Sequence, residues 1–420
     1  MPGKEDKTMN TKKLICFNCK TFFDLGAFFF GCPKCLARGK PAALEMTYDY
    51  GTIRPDFNAW AKGYGGMWKF KDLLPPTDEQ YIVTLGEGDT PLVKIRTLCE
   101  ETGHPEFYIK NETCNPTWSF KDRLNSCAIS MAKQLGFTKV TTATTGNHGS
   151  SAAAYAAAAG MQAAIFYHLE SPAVQKNAGL AYGASVISGY TIFAKYAVSM
   201  VKEHNWYPCY VMSPMPIANP YGIEGYKTIA YEIAFQLERQ VPVHQFHPVA
   251  AGDGLYGTWK GYAELMHYGI IDKTPKMYAA QAADCNPVVQ SLEQGLDEVL
   301  VHPNPRTIAL SIRDDTGNKL ALKAIRESGG SGVSVTDDEI LSAMRLLAKG
   351  GVIAEPASAT SVAGAMKLMK EGIIKKDEPV VCVITGAGVK WPEILADNVK
   401  GTVVDGNDEA AVNQLLEEYD

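Results

Sequence analysis

The stretch "VTTATTGNHGSSAAAYAAAAGMQAAIFYH", residues 140–168, decides the fold. A β-branched run ends in Thr144-Thr145-Gly146-Asn147-His148-Gly149, a helix of small residues follows, and then a second apolar run, "AAIFYH". Strand, helix and strand in that order make a parallel crossover unit. The alanine run is broken by Gly160 and Gln162 and is Ala-rich rather than Leu-rich. It therefore reads as a helix followed by a buried strand, not as a membrane span.

The same alternation extends in both directions. Candidate strands are "FYIKNE", "VTTATT", "AAIFYH", "ASVISG", "CYVMSP", "FHPVAAG", "MYAAQAA" and "VVCVITG". Between them lie helical patterns at 119–136, 148–160, 190–204, 224–239, 257–269, 336–348 and 358–371. Strands separated by helices predict an α/β fold of doubly wound, mainly parallel sheets. In such sheets ligands bind beyond the carboxyl ends of the strands, where Gly-, Thr- and Asn-rich turns stand in this chain. Residues 295–318 read as a loop-rich excursion.

The 420 residues are too many for one simple core and suggest two or three domains. Lys and Arg number 40 and Asp and Glu 46, a net charge of −6, which favours neither nucleic acid nor an anionic membrane as partner. The opening "MPGKEDKTMN" is polar and reads as a loose tail without a secretory leader, so a cytoplasmic protein is expected. Six of the ten cysteines, at positions 99, 114, 127, 209, 285 and 382, are scattered and read as reduced.

The other four stand in "CFNCKTFFDLGAFFFGCPKC", where Cys16 and Cys19, then Cys32 and Cys35, form two CxxC pairs twelve residues apart. Two such knuckles can close four thiolates on one tetrahedral zinc, with hairpin strands between them. A redox CxxC would be single and lie near a βαβ unit. Four sulfur ligands leave no open position, so such a zinc is structural.

Four turns carry the chemistry. In "NPTWSFKDRLNSC", Ser119 is positioned to cap a helix holding Lys121; a partly desolvated lysine there can act as an amine nucleophile, or the stretch is an ordinary solvated turn. In "TTGNHG" the exposed amides of a helix start can bind a carboxylate or phosphate, and Asn147 can donate a hydrogen bond. His148 serves there either as acid–base or through its backbone amide. In "HPVAAGDGLYGTWKGY" the run Gly252-Asp253-Gly254-Leu255-Tyr256-Gly257 lets backbone approach a phosphate; Asp253 must then turn its carboxylate away. In "VVCVITGAGVKWPE" the hydroxyl of Thr385 sits at a strand tip and can meet a ring nitrogen. Together the turns supply an amine, an amide donor, a phosphate cradle and a ring-nitrogen partner, one for each functional group of pyridoxal phosphate.

From about residue 85 the chain resembles the fold type II pyridoxal-phosphate enzymes, and among them the threonine synthase family. "GEGDTPL", "SFKDR", "TTGNHG", "GIEGYKT", "EPASATSVAG" and "VITGAGVKWPE" occur in the family's order. An N-terminal zinc-ribbon-like knuckle also occurs in some relatives. The resemblance implies a tryptophan synthase beta-like fold, with an N-terminal module over 1–45. It implies a larger cofactor-binding domain over 46–105 and 222–420, and a smaller domain with a substrate loop over 106–221. It implies pyridoxal 5'-phosphate on Lys121, with Asn147 at the phenolic oxygen, residues 252–256 at the phosphate and Thr385 at the pyridine nitrogen. The amides of Thr144, Thr145 and His148 would hold the carboxylate of a small amino-acid substrate, in a homodimer.

Three departures mark this chain. Gly222 stands in "NPYGIEGYK" where threonine synthases carry an arginine that grips a substrate phosphate, "TGNHG" has histidine for the usual threonine, and "KWPE" replaces "KDP". The expected activity is a carbon–oxygen lyase that eliminates or replaces a Cβ or Cγ leaving group, phosphate first. The alternatives are a β-eliminating ammonia-lyase of the serine/threonine dehydratase or diaminopropionate type, a β-replacement synthase, and a ligand-binding scaffold without catalysis. Asn115, Trp118, Asp122, Tyr221 and Lys227 are candidate substrate contacts.

Overall fold

A computed structural model describes residues 12–417 apart from 63–64, 76–77, 191, 212–216, 399–400 and 402. Two sheets organise the body. The larger has six strands in the order Ser331–Val335, Lys276–Ala282, His244–Pro248, Val380–Ile384, Phe107–Asn111 and Leu92–Lys94. All neighbours are parallel except the last pair, which is antiparallel. The smaller sheet is wholly parallel, in the order Ser185–Gly189, Gln162–His168, Lys139–Thr144 and Tyr207–Pro208.

The strand Val380–Ile384 shows why the large sheet is covered on both sides. Its five residues are all buried. Val381 and Val383 pack in one apolar cluster, and Val380, Cys382 and Ile384 in another. Successive side chains of a strand point to opposite faces, so a continuous apolar run needs a helical layer on each. Burying each such side chain contributes about 1.5–3 kcal/mol. This strand, the last of the large sheet in chain order, inserts between His244–Pro248 and Phe107–Asn111. Its tip therefore comes out in the middle of the sheet, where doubly wound folds place ligands.

The first of the opening stretch's strands is Lys139–Thr144, its helix Asn147–Ala158 and its second strand Gln162–His168. Ser331–Val335, reading SGVSV, is a strand the apolar pattern missed. It lies at the sheet edge, where Ser331 is exposed, Gly332 and Ser334 are half-buried and the apolar alternation is weak. The predicted helix at 257–269 begins earlier, at Asp253, directly after the glycine turn. In "CYVMSP" Tyr210–Val211 is a strand, Cys209 is not, and residues 212–214 lie outside the described residues. The predicted tail 1–10 lies outside them too.

The cysteine segment forms a three-stranded antiparallel sheet of Phe22–Phe23, Lys12–Cys16 and Leu44–Tyr48. It docks on the helices Ile223–Gln236 and Asp253–His267 through buried polar groups. Tyr48 donates to Glu224 at 2.8 Å, Lys260 donates to the Met46 carbonyl at 2.6 Å, and Tyr256 donates to Glu45. Among the described residues no helix is long and apolar enough to cross a membrane.

Candidate active site

The turn before Lys121 is tied to the tip of the central strand. Phe120 donates its amide to the Thr385 carbonyl at 2.9 Å, and Ala387 donates to the Trp118 carbonyl at 3.0 Å. An isolated bridge joins Ser119 to Gly386. Trp118 takes a left-handed φ of +58° to make that turn. The expected side-chain cap from Ser119 is absent: the helix Lys121–Gln134 has Phe120 at its N-cap, and the buried Ser119 hydroxyl has no partner. Backbone pairing to the strand tip, rather than capping, fixes this helix start.

Lys121 opens into a cavity of about 300 Å³ lined by Thr144, Thr145, Asn147, His148, Tyr210, Gly252, Asp253, Gly254, Asp314, Glu355 and Thr385, among others. Its Nζ lies 3.1 Å from the Tyr226 hydroxyl and 4.8 Å from the centre of the Phe120 ring. Burial lowers its pKa from 10.5, against the opposing pull of Asp253, Glu355 and Asp314. His148 is buried and its Nε2 has no partner. Burial, and then the Lys121 charge, push its pKa well below 6.5, so the imidazole is neutral.

The glycine turn is a cradle shaped for backbone approach. Gly252 has φ +105°, and a Cβ there would lie 2.4 Å from that of Ala321. A Cβ on Gly254 would lie 2.7 Å from the Phe120 ring, beside Lys121. The helix Asp253–His267 has no side-chain cap, so the amides of its first turn lack intrahelical acceptors. Tyr256 differs: its amide donates to the Gly252 carbonyl at 3.0 Å, and its buried hydroxyl serves Glu45. Leu255 has its side chain in the core. The Asp253 carboxylate accepts from Asn318 at 2.9 Å.

The other two turns are equally ordered. Thr144 accepts from the amides of Gly146 and Gly149 at 2.9 and 3.2 Å, which closes the turn before the helix. Thr385 Oγ1 is 3.0 Å from the Ser358 hydroxyl, and Ser358 accepts from the Gly386 amide at 2.7 Å.

Sequence reasoning assigned no role to Glu355, Asp314, Tyr226 or Tyr210. Tyr226 and Glu355 stand inside the recognised motifs "GIEGYKT" and "EPASATSVAG", a signal that could have found them. Glu355 is buried, and burial raises its pKa above 4.5. Asp314 is pushed up to about 7 by burial, then by Asp315 and Asp253. The five proposed substrate contacts lie elsewhere and do not line this cavity. Asn115 bonds Gly88 and Glu112, Asp122 accepts from Thr117 and Ser151, Tyr221 clasps Gly26, and Lys227 pairs with Glu224 and Glu264. Trp118 is 50% exposed. A larger cavity of about 540 Å³ lies at the seam between the cysteine segment and residues 298–320, away from Lys121.

The four cysteine sulfurs lie within 4.8 Å of one another. Cys16 and Cys35, and Cys19 and Cys32, are each 3.7 Å apart. A tetrahedron of bonds of about 2.3 Å has edges of roughly 3.8 Å, which these two pairs match.

The family described as "Pyridoxal-phosphate dependent enzyme" matches residues 83–386, which span all four turns. The chain belongs to this family. A threonine synthase of Methanocaldococcus jannaschii is 39% identical over 387 residues, 90% of this chain and 93% of the relative. One from Methanosarcina acetivorans is 38% identical over 405 residues, 94% and 97% of the two chains. The solved diaminopropionate ammonia lyase of Escherichia coli superposes with a TM-score of 0.65 at 18% identity, covering 83% of this chain and 94% of that one, and shows the shared fold. As a threonine synthase-like pyridoxal-phosphate-dependent lyase, the protein eliminates or replaces a group on an amino acid.

Proposed function

We propose that Lys121 is the residue that holds pyridoxal phosphate and then moves the substrate's α-proton. The observation that carries this reading is the Lys121 amine, with a lowered pKa, in one cleft with the Gly252–Gly254 cradle and Thr385. Burial favours the unprotonated amine, the form that a nucleophile and base require. The first-turn amides of the helix at Asp253 and the small Gly252 and Gly254 would receive the phosphate. Asn147 would stand at the phenolic oxygen. Thr385, already bonded to Ser358, would offer the ring nitrogen a hydrogen bond without a fixed negative charge. Bound there, pyridoxal phosphate draws electrons from the substrate's α-carbon. The turn at Thr144, Thr145 and His148 would hold the substrate carboxylate, with His148 neutral beside it.

The substrate in this reading is a small amino acid with a leaving group at Cβ or Cγ. The two relatives named threonine synthase favour phosphate as that group. A specific observation favours a second reading, β-elimination from a serine-like amino acid. The cavity lining carries Asp253, Asp314 and Glu355, and Lys121 is its sole cation among the described residues. Gly222 adds none, and a Cβ there would meet Leu124 at 2.8 Å. Incubation with phosphohomoserine and with serine separates the two. Inorganic phosphate released from the first supports threonine synthase chemistry; keto acid and ammonia from the second alone support the alternative.

The cysteine segment is read as a zinc-ribbon-like module with one structural zinc. The working form is read as a cytoplasmic homodimer of two-domain subunits, divided as the sequence suggests near residues 106 and 221.

A further inference from the structure

Glu355 precedes the helix Pro356–Lys370, and its carboxyl gathers three side chains from three separate segments. Its two oxygens accept from Asn147 Nδ2 at 2.8 and 2.9 Å. Oε2 also accepts from the Trp391 indole and, at 3.4 Å, from the Ser311 hydroxyl. The Glu355 amide donates to the Gly386 carbonyl at 3.1 Å, and a Cβ on Gly386 would lie 2.6 Å from Oε1. The other end of Asn147 is held too, since Oδ1 accepts from Gln175 at 3.2 Å. Both ends of one buried amide are thus fixed, and both Asn147 and Glu355 line the cleft.

We propose that Glu355, clamped by Trp391 and Ser311, is a positioning residue that sets the Asn147 amide for its contact with the cofactor. The inference rests on the reading that pyridoxal phosphate binds here with Asn147 at its phenolic oxygen. A carboxyl is the group this place needs. It offers acceptor oxygens toward an amide N–H and an indole N–H at once, whereas glutamine would offer one oxygen and turn an NH₂ toward donors. Trp391 contributes a donor and no charge; a carboxylate at 391 would face Glu355 with like charge. Because the effect runs through Asn147, loss of Glu355 matters only while Asn147 is present.

The test is a double-mutant cycle on cofactor binding. Protein freed of cofactor is titrated with pyridoxal phosphate for the wild type, E355Q, N147A and the double variant, following absorbance and intrinsic fluorescence. E355Q is expected to weaken binding about tenfold with Asn147 present, and less than about twofold in the N147A background. The pH titration of the visible band should shift alike in E355Q and N147A. Should E355Q fold poorly, W391F serves the same cycle, with an expected loss of about threefold. Equal losses in both backgrounds, or an unchanged affinity and titration, would overturn the positioning role while leaving the cofactor reading intact. A wild type that binds no pyridoxal phosphate would overturn both.

Discussion

Phe120 donates its amide to the carbonyl of Thr385 at 2.9 Å, so the residue before Lys121 is fastened to the residue at the tip of the central strand. Two turns far apart in the chain are thereby one structural unit. The position of Lys121 is set by the sheet, not by its own helix.

The Tyr226 hydroxyl, 3.1 Å from Lys121 Nζ, is the nearest group able to steer the amine. Tyr226→Phe keeps the ring beside Phe120 and removes that hydrogen bond. Loss of one such bond costs about 1 kcal/mol, so turnover should fall about fivefold with little change in melting temperature. Steady-state rates and a thermal melt check this.

Much of this unit is legible in the sequence, and the limits have physical causes. The buried strands of the sheet are apolar runs, and Thr144, Asn147, Gly252 and Thr385 stand at their ends because parallel sheets expose carboxyl ends to one side. Asp314 is less legible, because its charged neighbours Asp253 and Lys121 come from distant segments and no local period encodes them. Glu355 stands in a recognised motif, but its partners Asn147, Trp391 and Ser311 come from other segments. Tyr221 and Lys227 misled for the converse reason: they sit in a cleft-forming motif, yet their side chains turn toward the cysteine segment and the buried glutamates.

Asp314 gives a pH dependence with a definite sign. Its pKa is raised from 3.8 to about 7 in the fold, so folding favours its protonated form. The stability this brings is present below about pH 4 and is lost as pH rises through about 7. The melting-temperature advantage of Asp314→Asn over wild type should therefore grow between those limits and stay constant above them. The same change removes an anion that raises the Lys121 pKa, so the acid limb of the pH–rate profile should move to lower pH.

The glycine cradle separates two effects. Gly254→Ala places a methyl 2.7 Å from the Phe120 ring, next to Lys121, and should weaken pyridoxal phosphate binding at least about tenfold. Gly252→Ala adds strain at φ +105° and a clash with Ala321, so it should also lower the melting temperature. Calorimetry beside a cofactor titration distinguishes the two.

One zinc per chain is expected at Cys16, Cys19, Cys32 and Cys35. Chelation, or Cys16→Ser with Cys35→Ser, should lower the melting temperature by several degrees. The Tyr48–Glu224 and Tyr256–Glu45 contacts should carry that loss to the helices Ile223–Gln236 and Asp253–His267. Metal analysis of purified protein, before and after chelation, tests this.

The most direct measurement is borohydride reduction of the protein with pyridoxal phosphate bound, followed by peptide mass analysis of wild type and Lys121→Ala. The account predicts the cofactor mass on the peptide containing Lys121 in the wild type, and neither label, visible band nor turnover in the variant. A label on another lysine, or a visible band and turnover that survive Lys121→Ala, would contradict it.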